Sequence, residues 1–159
     1  MRSTARRLLA TGAALVLGAA AALASQPQTP PDRPVAAASE EQTAKIEAAI
    51  KPYVEQARKT WPDAKRRYLA GLPKGNQFFV TARLRSDDGS FEQAFVVVDK
   101  IEKGKIYGRI ASDVRALPNF HFNDKFTLSE EELLDWTIID QFGSEEGNVV
   151  GKFLDTYNP

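Results

Sequence analysis

The 159-residue chain contains no cysteine, one histidine (His121) and one methionine, the initiator. Without thiols it forms no disulfide, thiolate nucleophile, cysteine zinc site or cysteine-linked lipid anchor. A metal site would have to combine the lone histidine with scattered carboxylates, and no ligand spacing signals one, so no cofactor is expected. There is no GxSxG or similar nucleophile motif, no internal repeat and no sign of a second domain. Long apolar runs are also scarce. The only one lies at the start, LLATGAALVLGAAAALA over residues 8–24.

That run reads as a targeting segment. MRSTARR before it carries Arg2, Arg6 and Arg7 with no acid, and Ala22-Leu23-Ala24 supplies the small-x-small pattern of a signal-peptidase site. The run is too short and too alanine-rich for a comfortable membrane span. A signal peptide over 1–24 is therefore expected, with cleavage after Ala24 and release to the periplasm or exterior. Arg6-Arg7 leaves general and twin-arginine export both open. No span is expected in the mature chain. Residues 25–38, with four prolines in SQPQTPPDRPVAAA, read as a flexible or polyproline-type linker to a single domain over 39–159.

Charge is balanced in the precursor, 21 Lys and Arg against 21 Asp and Glu, and losing Arg2, Arg6 and Arg7 leaves the mature chain at about −3. Its distribution is uneven. Residues 45–85 hold ten bases and three acids, and residues 120–159 hold two bases and nine acids. A uniformly basic nucleic-acid surface is disfavoured. Either the basic helical segment lies against the acidic end and the two compensate, or the surface is two-signed and meets a charged partner.

The helix signals come first. Ser39 and Gln42 have capping-box spacing, and Glu40 and Glu41 suit a helix N-terminus. Ile46, Ile50, Tyr53, Ala57 and Trp61 form one apolar stripe. Pro52 should kink this helix or begin another, and a second short helix is expected from Pro62 to Gly71. From Gln77 the period becomes two. FFVTARLR (78–85) and FEQAFVVVD (91–99) flank an Asp87-Asp88-Gly89 turn, and Lys103-Gly104 turns the chain into KIYGRIA (105–111). Apolar on both faces, 91–99 should be a central strand. NVVGKFLDTY (148–157) reads as a last strand.

Residues 120–139, FHFNDKFTLSEEELLDWTII, hold the histidine, five acids and Trp136. Phe120, Phe122, Phe126 and Leu128 share one parity, which leaves His121 with the polar set facing solvent. Ser129 and Glu132 again have capping-box spacing, so the acid run has a structural explanation as the first turn of a short helix. Trp136 is expected in the core at the start of a strand, or else half-exposed against a ligand.

From about residue 55 to 155 the chain resembles the YegJ-like bacterial family, domain of unknown function 2314. The match lies in the order and spacing of TWPDAKRRYLAGL, FFVTARLRSDDGSFEQAFVVVDKIEKGKIYGRI, FNDKFTLSEEELLDWTIID and NVVGKF. It departs where Glu92 is followed by Gln93, Ala94 and Phe95, a place where relatives carry histidine, and at Asn123-Asp124, where they carry Gly-Asp. The resemblance implies a small α+β domain and no established activity.

The expected fold is thus α+β, with N-terminal helices packed on a twisted antiparallel sheet of five or six strands, curled toward a partial barrel. The expected function is a non-enzymatic interaction module of the periplasm or envelope, with an envelope protein as partner. The alternative is a small hydrolase or ligand-processing enzyme with a carboxylate and histidine site near Trp136. Glu92, His121, Asp135 and Trp136 form the candidate surface, with no catalytic or metal residue assigned.

Overall fold

A computed structural model describes residues 36–37 and 39–157. The segments expected to be a signal peptide (1–24) and, but for residues 36–37, a linker (25–38) lie outside the described residues. The first described element, β1 (Ala36–Ala37), lies within the expected linker and pairs with the sheet at Phe91 and Glu92.

Next comes α1 (Glu40–Ala70), one uninterrupted 31-residue helix where two were expected. Ser39 caps it as the spacing predicts, its Oγ accepting from the Gln42 amide at 3.2 Å. Pro52 and Pro62 lie inside the helix without ending it. Both are exposed, so the carbonyls they leave without a donor can be reached by water. Buried residues on either side, Ile50, Ala57, Trp61 and Ala64, hold the helical course against them. Gly71, at φ 94°, ends the helix.

The meander follows as read: β2 (Gln77–Arg85), β3 (Phe91–Glu102) and β4 (Lys105–Ile110). Then come β5 (Lys125–Ser129), a 3₁₀ turn (Glu130–Glu132), β6 (Asp135–Ile139), β7 (Glu145–Gly147) and α2 (Val149–Leu154). The strands form an antiparallel sheet in the order β5-β4-β3-β2-β6-β7, with β1 added to β3. β3 is central, and its first eight residues, Phe91–Val98, are buried apart from the half-buried Val97, as their composition requires. The chain's end is a helix and not the expected strand; Val150 and Leu154, four apart, are its buried face. Phe120 and Phe122 precede β5 in a loop, and Phe122 is exposed.

The sheet is curled but not closed. Laid flat, four strand spacings and about six residues of stagger would separate Ser129 from Asp135 by about 28 Å, beyond the roughly 20 Å that six residue steps reach. The first strand in the order and the fifth must therefore bend toward each other. Inside the curl, Ala57, Trp61 and Ala64 of α1 pack on Phe78, Val80, Val96 and Trp136. Trp61 stacks on Phe78 with ring centroids 5.9 Å apart. The first half of α1 joins a second cluster, Ile46 and Ile50 with Phe91, Val150 and Leu154. No helix among the described residues is long and apolar enough to cross a membrane.

Candidate functional site

Partners across a ladder share a face, and residues three apart on one strand lie on opposite faces. Asp135 pairs with Thr81 and Glu92 pairs with Leu84, so the two carboxylates project from opposite sides of the sheet. Each is already occupied. Glu92 accepts from the Arg115 amide at 3.0 Å and the Ala116 amide at 2.7 Å, which latches the loop after β4 onto the sheet. Asp135 accepts from the Trp136 amide at 2.8 Å and from the Val150 amide at 2.6 Å, and so holds the first turn of α2. Burial pushes the Asp135 carboxyl up to about 6 against the pull of those two amides.

Trp136 is 6% exposed, and its indole N–H donates to Thr60 Oγ1 at 2.9 Å. It is a core ring and offers no face to a ligand. His121 stands apart on the loop before β5, its side chain 73% exposed and its Nδ1 3.3 Å from Asp124 Oδ2. The four candidates thus fall in three different environments, and no concave site gathers them. Among the described residues no group of three or more metal-ligating side chains converges.

The two charge blocks meet. Lys65 Nζ donates to both oxygens of Glu130 at 2.7 and 2.9 Å, and Arg67 makes a two-pronged pair with Glu146 at 2.6 and 2.8 Å. Arg58 donates to the Leu133 carbonyl at 3.1 Å and to the Glu131 carbonyl at 2.7 Å. The compensating arrangement is the one the fold adopts along this seam.

Two concave features stand out among the described residues. A groove of about 650 Å³ runs between the end of α1 and β3, walled by Tyr68, Leu72, Phe78 and Val98. A second hollow, about 480 Å³, lies where the curled sheet fails to close, between β5 and the end of β2. Arg58, Arg83 and Arg85 line it together with Thr127, Leu134 and Glu131. Arg83 Nη2 is 3.1 Å from Glu47 Oε1, and Arg85 Nη2 is 3.6 Å from the same oxygen. Arg83 Nε is buried without a hydrogen-bond partner, and burial lowers that guanidinium's pKa. Sequence reading missed this hollow because four separate elements supply it; only the Arg83-x-Arg85 alternation was visible in one place.

Fold and site together define a small α+β domain whose open sheet wraps a long helix. No family model, curated protein or solved structure matches the chain.

Proposed function

We propose that the chain is a non-enzymatic interaction module, exported to the periplasm or cell envelope and acting by binding another protein there. The export half of this reading rests on the arginine-led apolar segment over 1–24 and its small-x-small Ala22-Leu23-Ala24. The binding half is carried by one observation. The buried carboxylates that could have served a reaction centre, Glu92 and Asp135, are committed to holding the fold, while Arg58, Arg83 and Arg85 line an open hollow in which Arg83 and Arg85 share the one carboxylate of Glu47. The likeness to the YegJ-like domains, offered on order and spacing, adds no activity to this.

The hydrolase alternative needs Glu92, His121 and Asp135 around one substrate. Asp135 has the raised pKa of a general acid, yet it is wholly buried and faces away from Glu92. That placement weighs against a shared reaction centre.

The test is affinity capture with the mature chain, residues 25–159, as bait against envelope extract, eluted by a salt step. One dominant protein released as salt rises is the expected result, since exposed charge pairs are screened beyond about 8 Å at physiological ionic strength. Repeated capture of nothing would remove the reading.

A further inference from the structure

The hollow at the seam is bounded by two strand edges, and the hydrogen-bond register says which groups they present. Glu130 N donates to Gly104 O at 3.0 Å. Bonded pairs alternate along an antiparallel ladder, so Ile106 faces Leu128 and Gly108 faces Phe126, while the N–H and C=O of Thr127 point away from β4. On β2, Ser86 N donates to Ser90 O at 3.0 Å, which by the same alternation directs Leu84 and Ala82 at β3 and turns Arg83 and Arg85 outward. Thr81 also points outward, and its carbonyl accepts from Leu134 N at 3.1 Å. There the partner strand stops. β6 pairs β2 only over Gln77–Thr81, so no described strand pairs the outward amides of Arg83 and Arg85.

We propose that this seam takes an extended, acidic peptide segment of a partner protein as an added strand, hydrogen-bonded to β2 at Arg83 and Arg85 and to β5 at Thr127. The inference rests on the binding reading above and names the site and the chemistry of the partner. Unpaired strand edges are templates for an incoming strand, whose main chain supplies affinity and whose alternate side chains supply specificity. About 480 Å³ suits a few residues of extended chain. The charge selects the occupant. Arg83 and Arg85 share the single carboxylate Glu47, and Arg58 spends Nε and Nη2 on carbonyls while making no ion pair among the described residues. Against them the hollow offers Glu131 and Glu132, and Glu132 is already bonded to Ser129 N at 2.8 Å. An acidic side chain on the incoming strand gains a partially desolvated guanidinium pair, the strong form of a charge-assisted hydrogen bond.

Three fluorescein-labelled hexapeptides test this on the full chain: alternating valine and glutamate, alternating valine and lysine, and the glutamate peptide N-methylated at alternate amides. Only the first is expected to bind, and it should slow amide hydrogen exchange at Arg83, Arg85 and Thr127. Arg85→Glu, at an exposed side chain that leaves the fold intact, should weaken binding at least tenfold. Equal binding by the N-methylated peptide, or protection of other amides only, overturns the added strand. Concentration-dependent protection of these amides in the free chain would instead assign the edges to a second copy, and it also overturns the proposal. If no peptide binds while envelope capture still yields a salt-released partner, the seam falls and the interaction reading stands.

Discussion

Trp61 and Glu130 lie 69 positions apart in the chain and meet in one hydrogen bond, indole Nε1 to carboxylate Oε2 at 2.8 Å. Lys65, one turn further along α1, binds the same carboxylate. Together with Arg58, these side chains pin the long helix to the 3₁₀ turn that bridges β5 and β6, across the gap the sheet leaves open.

Removing the Glu130 carboxylate should separate the two bonds. Glu130→Gln keeps an acceptor for the indole and loses the Lys65 charge pair, at a cost of about 1 kcal/mol; Glu130→Ala also strands a buried N–H and should cost about 2–3 kcal/mol. Burial raises the Glu130 pKa, but the hydrogen bonds from Lys65 and Trp61 and the Lys65 charge outweigh it and hold the carboxyl below its usual 4.5. Its contribution is therefore present above that value and lost as pH falls through the depressed one. Urea unfolding of both variants at pH 3 and pH 7 checks the order and the sign.

Asp135 has the opposite pH dependence. The folded carboxyl takes up its proton near pH 6 and the unfolded one near 3.8, so between these values the native state holds a proton that the unfolded state has released. Stability from this group is full below 3.8 and falls by about 3 kcal/mol as pH rises to 6. Asp135→Asn, which keeps one acceptor and cannot titrate, should lose that slope. Unfolding free energies at pH 4, 5, 6 and 7 decide it, and a wild-type slope in the variant would assign the titration elsewhere.

The prolines of α1 destabilise the helix they sit in. Pro52 is exposed and removes the bond its position would make to Ala48. Pro52→Ala should raise stability by about 1–2 kcal/mol, less than the full helix penalty because the unfolded chain also gains freedom. A fall in melting temperature would mean that the local bend itself seats Ile50 and Ala57.

Gly147 has no room for a side chain. A Cβ there would lie 2.2 Å from the Trp136 carbonyl and 2.9 Å from its ring, at φ +84°. Gly147→Ala should cost more than about 2 kcal/mol through displacement of Trp136 and positive-φ strain. The exposed Gly89 turn, at φ +86° with open space around it, is the control: alanine there meets the strain without the clash.

His121→Ala should leave stability within about 0.5 kcal/mol, as an exposed position away from the core does. Glu92→Ala should unlatch the Arg115–Ala116 loop and speed amide exchange at both residues. The contrast between these two residues, which the sequence groups and the fold separates, is readable by hydrogen exchange alone.

Local signals were legible, and long-range ones were not. The Ser39 cap, the Ser129–Glu132 capping box, the Gly89 and Gly104 turns and the burial of β3 each depend on residues within a few positions of one another. The continuity of α1 past Pro52 and Pro62 depends on packing partners far along the chain, so reading proline as a break gave two helices in place of one. Val149 and Val150 look like strand residues, and what favours helix there is Asp135, fifteen positions earlier, accepting from the Val150 amide. The roles of Glu92 and Trp136 were likewise decided by a loop and a helix that no local pattern names. The seam could not be read at all, because it exists only once β2 and β5 face each other.

Pinning the first helix to the last segments also sets a schedule. α1 is synthesised early, yet Glu130, Leu133, Trp136, Val150 and Leu154, which cover or hold much of its apolar stripe, are made last. Until the final quarter of the chain has been translated, that stripe lacks its lid, and the nascent protein stays a loose thread with sticky residues showing.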